Sequence, residues 1–224
     1  MNMKKWTTLI TIALITVSCK KTATPAEASQ TKFSNVLILG NSITYTPANP
    51  AGGWPGNWGM AASAAEFDFV HLLAAHFKDK NSACNVTAKN VAAFEREFLT
   101  YDFDAELKPL RDTKPDLIIV RIGENVQQDF DKVAFEKRYS ELLAYLIMNN
   151  SNAKIVAAGS FWGNDAVDKI MSKYSPFVAL SPLGHDMSNY AWGLFADHGI
   201  ESHPGDKGMK AISDMIWAKV GSLK

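Results

Sequence analysis

The sequence predicts an α/β fold, a three-layer sandwich in which helices cover both faces of a parallel sheet of about five strands. Three observations predict it. Short apolar runs alternate with segments of helical periodicity. The clearest runs are continuously apolar rather than alternating, which marks strands buried on both faces. Three of them stop at a glycine, where a strand gives way to a turn.

The elements follow in order. Residues 35–39 (NVLIL) read as a first strand, ended by Gly40. Residues 46–60 are rich in Gly, Pro, Asn and Trp and read as a loop. Within 61–77, Ala65, Phe69, Leu72, Leu73 and Phe77 fall at helical spacing. Residues 84–92 read as a strand, and 94–110 as mixed and partly helical. Residues 116–122 (DLIIVRI) form a second clear strand, ended by Gly123. A long amphipathic helix is expected over 131–148, with Val133, Phe135, Tyr139, Leu142, Leu143, Leu146 and Ile147 on its inner face. Residues 154–158 (KIVAA) give the next strand, closed by Gly159, and 177–180 a short fifth. Residues 206–220 close the chain as a helix, with Met209, Ile212, Met215, Ile216 and Val220 on one side. There is no internal repeat, so 33–224 is read as one domain.

Composition narrows the function classes. The chain has 224 residues, 47% of them hydrophobic and 21% charged, which is ordinary for a globular protein. Lys+Arg and Asp+Glu both number 23, so the net charge is zero. A strongly basic nucleic-acid binder and an acidic disordered chain are both disfavoured. Two cysteines, Cys19 and Cys84, build neither a disulfide framework nor a zinc–thiolate cluster. Cys84 sits in an apolar stretch and reads as a buried filler. His71 and His76 are five apart, outside the i, i+4 spacing of a helical metal site, and read as structural. There is no Walker loop and no dinucleotide glycine fingerprint, so no metal or cofactor is expected. No Gly-x-Ser-x-Gly occurs, which argues against an ordinary α/β-hydrolase.

The N-terminus reads as an address. Residues 1–5 carry two lysines, a short apolar run follows to Val17, and Ser18 precedes Cys19. The run has the length of a signal segment and is too short to span a bilayer. The pattern resembles a bacterial lipoprotein signal, which implies that 1–19 is a signal peptide with Cys19 lipidated. Residues 20–32 are then a flexible tether. The expected location is the cell envelope, periplasmic or surface-facing, with the membrane reached only through the lipid. If Cys19 is not lipidated, the protein is secreted.

In open parallel sheets, sites form beyond the carboxyl ends of the strands. Those ends carry Gly40-Asn41-Ser42, Ala92-Ala93, Gly123-Glu124-Asn125 and Ser160-Phe161-Trp162. A serine, backbone amides, an asparagine side chain and aromatic rings therefore converge.

Gly40-Asn41-Ser42-Ile43-Thr44 resembles the first block of the SGNH (GDSL-type) hydrolases, with Asn41 where that family usually has aspartate. Gly123-Glu124-Asn125 resembles the family's third block, and Ser202-His203-Pro204 with Gly208 its fifth. The matches are in family order and span almost the whole domain. The resemblance implies the SGNH hydrolase fold, with a flavodoxin-like parallel sheet. It implies Ser42 as nucleophile and His203 as general base. It implies an oxyanion hole from the Ser42 amide, the Ala92 amide and the Asn125 side chain. The family's second block carries glycine where Ala92 stands, and its triad acid lies three residues before the histidine, where this chain has Ile200. Two arrangements remain open. Either a Ser42–His203 dyad is oriented by the Ile200 carbonyl, or Glu201 turns inward to complete a triad.

Trp54 and Trp58, in the loop after Ser42, and Trp162, after the fourth strand, would flank such a site. Exposed aromatic faces beside polar groups suit a sugar. The sequence thus points to an esterase that removes acyl groups, acetyl foremost, from a carbohydrate or small-molecule ester. A lipase or thioesterase of the same fold and a catalytically weak glycan-binding protein are the alternatives.

Overall fold

A computed structural model describes residues 32–223. The expected signal segment, Cys19 and the tether up to residue 31 lie outside the described residues. Five strands, β1 (Asn35–Gly40), β2 (Asn85–Asn90), β3 (Leu117–Arg121), β4 (Lys154–Ala158) and β5 (Phe177–Val178), form one parallel sheet in the order β2-β1-β3-β4-β5. The helices are α1 (Phe69–Lys80), α2 (Ala92–Glu97), α3 (Phe103–Arg111), α4 (Lys132–Leu146), α5 (Asp165–Met171), α6 (Ser181–Gly184), α7 (His198–Glu201) and α8 (Asp206–Gly221).

The continuous apolar runs are explained by burial on both faces. Alternate strand residues point to opposite sides. Val36, Ile38, Leu117, Ile119 and Val156 meet Phe69, Leu73 and Phe77 of α1 and Ile212 and Ile216 of α8. Leu37, Leu39, Ile118, Val120 and Ala157 meet Phe94, Leu107, Phe135, Tyr139 and Ile170 on the other face. Strand order reverses between β1 and β3, so the crevice at the sheet's carboxyl edge opens there.

Several expectations are corrected. The helix expected from residue 61 begins at Phe69. Asp68 is buried and caps it, accepting from the amides of His71 at 2.7 Å and Gly59 at 2.9 Å. Ala61, at φ +75°, lies off the helical path, and its side chain joins a separate small cluster. β2 is an edge strand with only Val86 and Ala88 packed inward, so it is not a doubly buried run. Its expected last residue, Ala92, instead opens α2. Val133 is 81% exposed. It stands two residues, about 200° of helical turn, from Phe135, which puts it on the opposite face of α4. The fifth strand is only two residues long.

Ile119 is fully buried in the central strand. Ile119→Ala is expected to lower unfolding free energy by about 2–5 kcal/mol. Val133→Ala, on the solvent face, is expected to stay within about 0.5 kcal/mol of wild type. Denaturant unfolding followed by circular dichroism reads both.

Candidate active site

β1 ends where no side chain fits. A Cβ on Gly40 would lie 1.9 Å from Thr44 Oγ1 and 2.8 Å from the Arg121 carbonyl oxygen. The chain then turns tightly, with the amides of Thr44 and Tyr45 donating to the Asn41 carbonyl at 2.9 and 3.0 Å. The Asn41 side chain accepts from the Ile43 amide at 3.3 Å. This turn presents Ser42 at the carboxyl edge of the sheet.

His203 arrives from the other end of the chain, and its Nε2 lies 2.9 Å from Ser42 Oγ. Its Nδ1 lies 2.7 Å from the Gly199 carbonyl oxygen. A carbonyl can only accept, so Nδ1 carries the hydrogen and Nε2 presents its lone pair to the serine hydroxyl. The orienting carbonyl is therefore that of Gly199, not the expected Ile200. The reason is helical geometry. His203 follows α7, so the i−4 carbonyl faces its ring, while the i−3 carbonyl of Ile200 accepts the His203 backbone amide at 2.9 Å. The Ile200 side chain packs with Trp54, Ala61 and Ala191.

Glu201 does not complete a triad here. One of its oxygens accepts from the Gly193 amide at 2.8 Å and the other pairs with His198 Nδ1. The Gly193 amide, then His198, hold the Glu201 carboxyl below its ordinary value. Asp197 caps α7 through the Ile200 amide at 3.0 Å. Burial pulls the His203 imidazole below its ordinary value, and the Gly199 carbonyl acts against that pull.

Asn125 follows β3. Its Nδ2 donates to Glu95 Oε2 at 2.8 Å, and its Oδ1 accepts from Arg96 at 2.8 Å. A primary amide has two N–H bonds, so one remains for a ligand. Ala92 differs from expectation. Its amide donates to Asn90 Oδ1 at 2.9 Å, an internal acceptor that competes with any oxyanion.

Beneath the serine turn lies a buried polar cluster. Arg121 donates to Asn41 Oδ1 at 2.9 Å and pairs with Glu124. Asn41 Nδ2 donates to Glu124 at 2.6 Å and to Glu95 at 3.2 Å. Glu124 also accepts the Phe161 amide at 2.7 Å, and Glu95 the Gly123 amide at 2.5 Å. Burial first, then the Glu124 carboxylate, hold the Glu95 carboxyl above the ordinary carboxylate range. Sequence reasoning missed this cluster. One signal was present: Arg121 is a lone charge in an apolar strand, and a charge so placed needs a buried partner.

The tryptophans divide. Trp54 is 2% exposed and meets Trp58 and Phe195 at centroid distances of 5.7 and 5.8 Å. Its indole N–H donates to the Thr46 carbonyl at 3.2 Å, and that of the half-buried Trp58 to the Ala62 carbonyl at 2.9 Å. These two rings pack beneath the loop rather than facing a substrate. Trp162 is 40% exposed and meets the His203 ring edge-on at 5.1 Å. Trp192, which sequence reasoning missed, is 42% exposed and stacks on Tyr190 at 5.3 Å.

The fold is shared with solved esterases and lipases. The chain is similar to a family two carbohydrate esterase from Cellvibrio japonicus, with a TM-score of 0.51 and 18% identity over 84% of this chain and 60% of that one. It is similar to a GDSL-like lipase from Bacteroides uniformis, with a TM-score of 0.53 and 21% identity over 85% of this chain and 96% of that one. A family 3 carbohydrate esterase from Talaromyces cellulolyticus gives a TM-score of 0.53 and 13% identity over 85% and 100% of the two chains. At such identities the likeness is one of fold. No family model matches the sequence, and a search of curated proteins returns no match.

His203 is expected to titrate below the ordinary imidazole value of 6.5, with Nδ1 protonated in the neutral form. Nitrogen-15 NMR across pH reads both. A value above 6.5 contradicts the dominance of burial at this ring.

Proposed function

We propose that this chain is a serine esterase of the SGNH type that removes acyl groups, acetyl foremost, from carbohydrate. The observation that carries the reading is the Ser42–His203 contact at 2.9 Å with Nδ1 held by a carbonyl. In this mechanism Ser42 Oγ attacks the ester carbonyl while His203 Nε2 takes its proton. The tetrahedral oxyanion is met by the Ser42 amide and the free N–H of Asn125. The carbon–oxygen bond to the alcohol breaks, and the alcohol leaves with the proton from His203. Water then attacks the acyl-serine, again with His203 as base, and releases the carboxylate and free Ser42.

No carboxylate hydrogen-bonds His203 among the described residues. The imidazolium formed in the transition state is stabilised by the Gly199 carbonyl dipole and, at longer range, by the Glu124 charge. A depressed basicity suits this arrangement, because the free base persists to lower pH.

The likeness to carbohydrate esterases supports a sugar ester as substrate. So does the exposed ring of Trp162 at His203, since the faces of pyranose rings are apolar. Hydrolysis of a short activated acetate ester, and acetate release from an acetylated polysaccharide, test the reading. Ser42→Ala is expected to abolish both, by about 10⁴-fold or more. Glu201→Gln is expected to keep turnover within about threefold, because its partners are Gly193 and His198. Turnover that rises with acyl-chain length replaces the sugar-ester reading with a lipase. Saccharide affinity without turnover replaces it with a binding protein.

In the same proposal the protein sits at the cell envelope, held by a lipid on Cys19. Metabolic labelling with a fatty acid is expected to mark the full chain and to be lost in Cys19→Ala. Label retained in that variant removes the anchor.

A further inference from the structure

Two consecutive residues of α2 grip the Asn125 side chain at its two ends. Glu95 Oε2 takes a hydrogen from Nδ2 at 2.8 Å, and Arg96 Nη2 gives one to Oδ1 at 2.8 Å. Neither residue touches Ser42 or His203 through a hydrogen bond in the structure. Neither is called for by the motifs that point to the site.

A primary amide is nearly symmetric in shape and opposite in polarity. Turned by 180°, Asn125 would present a carbonyl oxygen where a donor is needed. The grip opposes that state at both ends. After a flip, the amide oxygen would face the Glu95 oxygen, and the amide N–H groups would face the Arg96 guanidinium. Both contacts would change from attractive to repulsive. Glu95 is buried and also accepts the Gly123 amide at 2.5 Å and Asn41 Nδ2 at 3.2 Å. It therefore ties the placement of Asn125 to the turn that carries Ser42. Arg96 on Oδ1 further polarises the amide, which strengthens the remaining N–H as a donor.

We propose that Glu95 and Arg96 are positioning residues for ester hydrolysis, fixing the rotamer and polarity of the Asn125 amide so that its free N–H stays aimed at the developing oxyanion. The proposal rests on the esterase reading above. Donors held in place before reaction need no reorganisation at the transition state, so the loss of the grip falls on kcat rather than KM.

The test is steady-state hydrolysis of 4-nitrophenyl acetate by the full chain. The variants are Ser42→Ala, Arg96→Met, Glu95→Gln, Asn125→Ala, and each of the α2 variants combined with Asn125→Ala. Asn125→Ala is expected to lower kcat by about 10²-fold, the loss typical of one oxyanion donor. Arg96→Met and Glu95→Gln are each expected to lower it about tenfold, with KM within about twofold of wild type. Combined with Asn125→Ala, Arg96→Met should not lower kcat further, because the Arg96 side chain acts through Asn125, whereas Glu95→Gln retains a further loss through Gly123 and Asn41. Arg96 is exposed, so its variant decides the matter even where Glu95→Gln fails to fold. An unchanged kcat in Arg96→Met, or an Arg96→Met loss that multiplies with that of Asn125→Ala, overturns the proposal. If Ser42→Ala keeps wild-type turnover, the esterase reading itself fails. An inactive Ser42→Ala beside a fully active Arg96→Met removes only the grip.

Discussion

The site depends on a buried charge cluster that locks the segments after four strands together. Arg121 leaves the end of β3, Glu124 follows it, Asn41 follows β1, and Glu95 comes from α2 after β2. Taking such charges out of water costs several kcal/mol per ion, so the cluster is tolerable only when nearly every donor and acceptor is paired. The pairing is dense: Asn41, Gly123 and Phe161 all donate into the two carboxylates. Removing one partner leaves a buried charge without compensation, which is why the four segments cannot shift independently. Asn41 also finds its reason here. An aspartate at that position would add a third carboxylate around one guanidinium. The amide instead donates to both glutamates and accepts from Arg121.

His203 is mounted without a charge behind it. The Gly199 carbonyl fixes the tautomer, and backbone contacts fix the loop. The Ala191 amide donates to the carbonyls of Glu201 and His203, and the His203 amide donates to Ile200. Ile200, three residues before His203, serves packing, filling a small cluster with Trp54, Ala61 and Ala191. Orientation of the imidazole is therefore a property of backbone geometry. Its basicity is set mainly by burial.

The aromatic residues show how composition and placement separate. Trp54 and Trp162 both stand in glycine-rich loops after strands, and nothing local distinguishes them. Trp54 lies in a loop closed by antiparallel bridges between Thr46 and Trp58 and between Asn49 and Trp54, which folds its ring inward. Trp162 is anchored by its N–H to the Ser202 carbonyl at 3.0 Å, which leaves the ring at the surface beside His203.

Much was legible in the sequence because it rests on local periodicity. Doubly buried strands must be apolar throughout, and amphipathic helices must carry a stripe, so β1, β3, β4, α4 and α8 follow from side-chain spacing alone. The tight turn after β1 needs Gly40, and that need marked where Ser42 would stand. Polar pairings between distant segments leave no such trace. Whether Gly199 or Ile200 faces the His203 ring depends on how α7 ends. That Glu95 and Arg96 meet Asn125, some 30 residues on, depends on how α2 lies across the end of β3. The pattern of side chains along the chain set the elements and the order in which reactive residues reach one edge of the sheet. Packing in three dimensions selected which of them touch, because hydrogen bonds require placement to within a few tenths of an ångström, and only the assembled sheet and helices supply it.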